Sequence, residues 1–146
     1  MTCMTLLVLI LCATVSYALY DIFAAKAGGR IDATLSAVIV QVFGIALPLL
    51  ALSLLYAQKK VEQTTREGVL YSVLAGLAIA VFSVVFVKIF AKGGELSYVV
   101  PVIYGAVVVI TTIIGIFLWK ESITPMQVAG LFLTTAGLAM VIIAKA

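Results

Sequence analysis

Long apolar runs separated by short polar segments make up almost the whole chain. A helix that crosses a bilayer needs about 20 mostly apolar residues, because each residue rises about 1.5 Å. Five runs meet this requirement, over about residues 5–25, 33–57, 69–91, 96–119 and 125–144. In hydrocarbon the backbone polar groups must pair within their own segment, so each run is predicted to be a transmembrane helix.

Composition indicates the same class of protein. Hydrophobic residues make up 65% of the chain and charged residues 10%, with a mean hydropathy of +1.32. Soluble domains carry about 25% charged residues, and a soluble chain with so few would expose large apolar patches. We therefore predict an all-α integral membrane bundle of five transmembrane helices, forming one domain over residues 1–146. The first run and the residues before it hold no Lys or Arg, so we expect a retained membrane helix and not a cleaved signal.

Glycines and prolines mark where the predicted helices end or bend. Paired glycines follow the first run in "AGGR" and the third run in "KGG". Pro48 lies inside the second run, where the lipid environment tolerates a proline that kinks the helix. In "KESITP", Ser122 or Thr124 is the expected N-cap of the last helix, and Pro125 is expected in its first turn.

The chemistry-bearing residues exclude several classes of function. The two cysteines, Cys3 and Cys12, both lie in the first apolar run, and the chain has no histidine. With its few acids scattered, the chain offers no cluster of metal ligands and no pairing of a nucleophile with a base. We therefore expect neither an enzyme nor a cofactor or metal site. The net charge of +3 suits anionic lipid headgroups, and without a basic stripe no nucleic-acid partner is expected.

Each predicted helix carries a stripe of small or polar residues at helical spacing. In the third and fifth helices, close packing explains the stripe, because small residues let two backbones approach. The first, second and fourth stripes contain tyrosines, a glutamine and a proline, which a cavity explains better. We predict a substrate-binding cavity between the first four helices, lined by Tyr17, Tyr20, Asp21, Gln41, Tyr98, Pro101, Tyr104 and Thr111. Pro101 is expected to kink the fourth helix there, because it lacks a backbone donor.

Asp21 is the first charged residue of the chain and lies near the end of the first run. A charge inside the membrane is costly and is usually functional. Alternatively, Asp21 reaches interfacial water or pairs with Lys26 or Arg30. Its stripe also carries Tyr17 and Tyr20, which would form an aromatic wall beside the carboxylate and would suit a cationic solute.

Charges at the helix ends have simpler explanations. Lys88 and Lys92 share a face near the end of the third helix and are expected to extend to the headgroups. Glu121 follows Trp119 and Lys120 at the opposite membrane surface. We expect Glu121 to pair with Lys120, and a role in closing the cavity is the alternative.

Orientation in the membrane follows the Lys and Arg bias of short loops. Five spans put the second and fourth loops on one side, with Lys59, Lys60, Arg66 and Lys120. The opposite side holds Lys26, Arg30, Lys88, Lys92 and Lys145. Because four basic residues oppose five, we expect insertion in both orientations, a dual topology. Two oppositely oriented copies would form an antiparallel homodimer like the inverted repeats of larger transporters, with a site at the midplane.

The C-terminal part of the chain resembles an EamA-type domain of the drug/metabolite transporter superfamily. The resemblance rests on Pro101, on "GIFLWKE" ending in Glu121, and on Gln127, Gly130 and Gly137. In the first helix, where family members often have Trp-Gly, this chain has Tyr17-Ala18. Most such proteins are similar to two fused copies, whereas this chain resembles the single five-helix branch found in bacteria and archaea.

The resemblance implies a multi-pass protein of the bacterial or archaeal cell (inner) membrane. It implies export or exchange of small metabolites or drugs, often with the proton as coupling ion. Two alternatives stay open. A flippase for a lipid-linked sugar or another lipid would need a lateral opening toward lipid and no coupling ion. A non-transporting membrane subunit would bury its polar stripes in helix contacts.

Overall fold

The computed structural model describes residues 3–59 and 64–145, with side chains from residue 6 onward. These residues contain no strand, and 85% of them are helical. The helices are α1 (Cys3–Ala27), α2 (Ala33–Gly44), α3 (Ala46–Ala57), α4 (Arg66–Ala91), α5 (Leu96–Trp119) and α6 (Pro125–Ile143).

Among the residues described, five helical segments are long and apolar enough to cross a membrane, which confirms the predicted fold class. They are Leu6–Ala27, Ala33–Ala57, Arg66–Ala91, Leu96–Trp119 and Pro125–Ile143. The second segment comprises α2 and α3 together. The largest difference from the predicted bounds is at the start of the third span, at residue 66 instead of 69.

The second span is interrupted at Ile45, where α2 ends and α3 begins. Pro48 lies three residues further on and has no amide hydrogen, so it cannot donate to the carbonyl of Gly44. The helical hydrogen bonds before and after this position still form. The Ile45 amide donates to the Gln41 carbonyl at 3.2 Å, and the Leu49 amide donates to the Ile45 carbonyl at 3.0 Å. A proline inside a helix therefore accounts for the break, as the sequence predicts.

Side-chain caps fix the starts of three helices. The Asp32 carboxylate accepts hydrogen bonds from the amides of Thr34 and Leu35 at the start of α2, at 2.8 and 3.1 Å. Thr65 accepts from the Gly68 amide at the start of α4. Thr124 caps α6 through a reciprocal capping box with Gln127, and Pro125 occupies the first turn. Of the two cap candidates in the sequence, Thr124 is therefore the N-cap.

The chain divides after Gly93 into two compact units. The prediction of one domain over residues 1–146 stays a prediction. In the first unit, α1 and α2 both pack on α4. The buried side chains of this unit come from the last turns of α1, the first turns of α2 and the last turns of α4, and include Ala24, Ala33, Ala37, Phe86 and Val87. The half of the second span formed by α3 has no buried residue.

The second unit is a helical hairpin in which α5 packs on α6. Near its middle, Gly105 faces Leu138: a Cβ on Gly105 would lie 2.8 Å from the Leu138 Cδ2 atom. At the end where α5 starts and α6 finishes, Lys145 forms an ion pair with Glu95. The Lys145 Nζ atom also lies 5.6 Å from the centre of the Tyr98 ring. The hairpin is thus joined at that end by charge and in the middle by close packing.

Candidate functional site

Asp21 is buried in α1, with 5% of its surface exposed. Tyr17 and Ala24 are its neighbours on the helix surface, because they lie four and three positions away, and Tyr20 precedes it directly. Ala24 is buried as well, whereas Tyr17 is 40% exposed. The two structural alternatives for Asp21, contact with interfacial water and a pair with Lys26 or Arg30, stay predictions. A role in a site stays a prediction.

Aromatic rings connect α1 with α4. The rings of Tyr17 and Tyr20 lie 5.6 Å apart, and the Tyr20 ring stacks on Phe86 at 6.0 Å. Phe86 in turn contacts Phe82 at 5.0 Å and Phe90 at 4.9 Å. Centroid distances of 4.5–7 Å are those of interacting aromatic pairs. The two predicted tyrosines therefore lie at the end of an aromatic cluster that includes the last turns of α4.

A short hydrogen-bond chain links the same two helices. The Tyr20 hydroxyl donates to the Ser83 Oγ atom at 3.5 Å, and Ser83 donates to the Ile79 carbonyl at 2.8 Å. Ser83 is 2% exposed. The sequence pattern assigns Ser83 to a packing stripe and overlooks the phenylalanines. Their spacing of four residues, at positions 82, 86 and 90, was the signal that they form one face of α4.

The first unit contains a pocket of about 420 Å³ beside this cluster. It is mainly apolar and is lined by Tyr20, Phe23, Ala24, Ala27, Ile31, Ser36, Ile39 and Val40. Tyr20 is the predicted site residue that lines it. Gln41 is exposed on α2 and lies outside this lining. The pocket would hold an apolar group next to the Tyr20 ring.

In the second unit the predicted site residues fall in different places. Pro101 and Tyr104 line an apolar pocket of about 350 Å³ that also includes Gly105 and Leu138. Tyr98 contacts Lys145. Thr111 lines a separate cleft near the turn between α5 and α6. The helix α5 runs without interruption through Pro101, so the kink expected there does not break it. The prediction that these residues form one cavity with those of α1 and α2 stays a prediction.

The cleft that contains Thr111, here called the α5–α6 cleft, has a volume of about 610 Å³. Its lining comprises Thr111, Thr112, Gly115, Ile116, Trp119, Glu121, Ser122, Ile123, Gln127, Gly130, Leu131 and Thr134. Volumes of 300–1,000 Å³ are typical of ligand pockets. Within residues 3–59 and 64–145 the Glu121 carboxylate forms no salt bridge, so the expected pair with Lys120 is not present.

The sequence model of the EamA-like transporter family matches residues 4–143, almost the whole chain. The protein belongs to the EamA-like transporter family. This family is part of the drug/metabolite transporter superfamily, and EamA-like proteins are transporters and not enzymes. Membership and the five apolar helices together make the chain a multi-pass membrane protein, and they indicate transport of small molecules. No curated protein and no solved structure gives a significant match.

Several residues that carry the EamA resemblance have structural roles. Gln127 closes the capping box of α6: its Oε1 atom accepts from the amide and hydroxyl of Thr124 at 2.8 and 3.0 Å. Gly115 lies against Glu121, since a Cβ on Gly115 would be 2.7 Å from the Glu121 Oε2 atom. By contrast, a Cβ on Gly130 or Gly137 would meet no atom within 4 Å. The EamA pattern thus includes positions that shape the turn between α5 and α6.

Proposed function

We propose that this protein is a secondary transporter that exports small metabolites or drugs, with the proton as coupling ion. The observation that carries the proposal is the burial of Asp21 inside the first membrane-spanning helix. An ionisable residue within a membrane segment marks an ion or substrate pathway more often than a structural feature. Family membership supports the movement of small molecules across a membrane.

The surroundings of Asp21 support a cationic or amphipathic substrate. Tyr17 and Tyr20 lie on the same face, with their rings 5.6 Å apart. The faces of aromatic rings attract cations, and a carboxylate beside them adds a full opposite charge. We propose that a proton and the substrate cation compete for Asp21. Protonation would release the cation on one side of the membrane, and loss of the proton would restore binding on the other.

The proposed working unit is an antiparallel homodimer. A chain of five spans equals half of the inverted pair from which many transporters are built. The near-even division of basic residues between the two sides supports insertion in both orientations. In this arrangement the substrate pathway would lie between two copies in the cell (inner) membrane of a bacterium or archaeon.

Flux into proteoliposomes tests the transport proposal. The experiment measures uptake of a panel of small amines and organic cations, with and without an imposed pH gradient. Asp21→Asn removes the charge while keeping the size, and we expect it to abolish the response to the gradient. Asp32→Asn is the matched control, because Asp32 lies exposed before the second span and asparagine also caps helices. Gradient-driven flux that persists in Asp21→Asn and matches the control would refute the role of Asp21.

A further inference from the structure

The α5–α6 cleft contains a titratable group that the proposed transport mechanism does not use. Glu121 lies just beyond the end of α5, where Lys120 has a positive φ of 54° and turns the chain back. The Glu121 amide donates to the Gly115 carbonyl at 3.2 Å. The side chain then lies against Gly115, with Oε2 at 2.7 Å from the position that a Cβ would occupy. The turn and the glycine together hold the carboxylate at the cleft wall.

Three threonine hydroxyls of the cleft donate hydrogen bonds to backbone carbonyls of their own helices. Thr111 donates to the Val107 carbonyl and Thr112 to the Val108 carbonyl, both at 2.8 Å. On the facing helix, Thr134 donates to the Gly130 carbonyl at 2.9 Å. A hydroxyl that donates within its own helix keeps its oxygen lone pairs for an outside partner. The three threonines therefore present acceptors to the cleft.

A cleft with a carboxylate and several hydroxyl acceptors selects a ligand that donates hydrogen bonds and carries positive charge. An ammonium group provides three donors and no acceptor, which complements this lining. Trp119 adds an indole ring to the wall, and tryptophan is the aromatic side chain that attracts cations most strongly. Ile116 and Leu131 supply apolar wall for a hydrocarbon or aryl body attached to the amine.

We propose that the α5–α6 cleft is a binding site for the primary ammonium group of an amphipathic amine, with the Glu121 carboxylate as its anionic partner. The Gln127 side-chain nitrogen is left as a donor for a further polar group on the ligand, because its Oε1 atom is engaged by Thr124. The lining of this cleft does not include Asp21, and the site is tested by binding alone, so its failure would leave the transport proposal untouched.

Trp119 makes the test direct, because it is the only tryptophan in the chain and lines the cleft. The full protein in dodecyl maltoside micelles is titrated with phenethylammonium chloride while Trp119 emission is recorded. We expect a saturable change. Phenethyl alcohol, the neutral analogue, and sodium chloride at equal ionic strength should produce no saturable change. An equal response to either compound would overturn the assignment of an ammonium site, as would no response to the amine.

Three variants establish which group binds the amine. Glu121→Gln should weaken binding at least about tenfold, since it removes a charged hydrogen-bond partner. Glu67→Gln, which changes an exposed carboxylate in the first turn of α4, should bind like the wild type. Gly115→Ala should also weaken binding, because the new methyl group would displace the Glu121 carboxylate. Circular dichroism confirms that each variant is folded. Wild-type affinity in both Glu121→Gln and Gly115→Ala would overturn the proposal.

The ammonium group could come from a soluble amine or from a phosphatidylethanolamine headgroup. Adding phosphatidylethanolamine to the micelles distinguishes these sources. If the headgroup occupies the cleft, the lipid alone shifts Trp119 emission, the amine then binds with lower apparent affinity, and Glu121→Gln removes both effects. If the lipid leaves the amine titration unchanged, the ligand is a soluble amine.

Discussion

A Cβ atom placed on Gly28 would lie 2.5 Å from the Cβ atom of Phe90 and 3.0 Å from its carbonyl carbon. The turn directly after α1 therefore approaches the backbone of α4 at a point where a side chain does not fit. Such close approaches let helices associate in lipid, where packing takes the place of the hydrophobic effect. The contact holds the end of α1 that carries Tyr20 and Asp21 against α4.

Gly28→Ala should therefore destabilise the protein. The added methyl group meets backbone as well as side chain, so α1 has to move away from α4. Overpacking of this kind costs about 1–3 kcal/mol. The free energy of unfolding is measured by circular dichroism as dodecyl sulfate replaces dodecyl maltoside. Gly76→Ala in α4 is the control, because its Cβ would meet no atom within 4 Å. Equal effects of the two substitutions would contradict the contact.

Phe86→Ala should be among the most damaging substitutions in the first unit. Phe86 has no exposed surface and contacts the rings of Tyr20, Phe82 and Phe90. Truncating a buried phenylalanine costs about 3–5 kcal/mol in soluble cores, and we expect the lower end of that range because only packing is lost in lipid. Phe117→Ala, at a side chain that is 76% exposed, should leave the same unfolding transition unchanged. Comparable losses in both variants would mean that the aromatic cluster does not stabilise the unit.

Lowering the pH should destabilise the start of α2, because the carboxylate of Asp32 caps this helix. Hydrogen bonds from the backbone amides of Leu35 and Thr34 hold the pKa of the Asp32 carboxyl below its ordinary value of 3.8. A lowered pKa in the folded state means that the cap stabilises fully above pH 3.8 and loses its effect as the pH falls through the folded-state value. Asn at this position also caps, but it does not titrate.

Unfolding of the wild type and Asp32→Asn is therefore compared over a range of pH. Below pH 3.8, the free energy of unfolding of the wild type should fall more steeply than that of the variant. Above pH 3.8, the two free energies should change in parallel. The difference between the two proteins isolates Asp32 from the other carboxylates. If the two curves stay parallel into acid, the carboxylate does not stabilise the helix through its charge.

The sequence predicts the spans closely because one property, the length of an apolar run, decides them. The break at Ile45 also follows from a single residue, Pro48, whose missing donor acts locally. Packing between helices is harder to predict. Phe82, Phe86 and Phe90 are as apolar as lipid-facing residues. The contacts of Tyr20 with Phe86 and of Gly28 with Phe90 show that this face of α4 packs against the protein.

The turn after α5 contains a second contact that the sequence does not predict. Glu121 reaches Gly115 because Lys120 adopts a left-handed conformation, which is uncommon for a side chain other than glycine. The sequence therefore favours a helix-end ion pair with Lys120 and leaves a role in closing the cavity as the alternative. Gln127 likewise belongs to the family pattern, and its contacts assign it to the capping box of α6. Contacts formed across a turn depend on backbone angles that spacing alone does not reveal.

Dual topology makes a prediction that depends on charge alone. With four basic residues on one side and five on the other, a small addition should determine the orientation. Two lysines added beside Lys59, in the loop before α4, should lock that loop in the cytoplasm. We expect transport to fall when this form is made alone, because an antiparallel dimer needs both orientations. Co-expression with a copy locked in the opposite orientation should restore it.

Cysteine labelling measures the orientation itself. In a background without Cys3 and Cys12, Gln58→Cys reports the loop before α4 and Ala144→Cys reports the end of α6. Because an odd number of spans separates these positions, they lie on opposite sides of the membrane in any one orientation. An impermeant reagent applied to intact cells should label part of each population. Complete labelling of one position and none of the other would mean a single orientation, and the antiparallel homodimer would then be wrong. A partner chain of opposite orientation would be needed in its place.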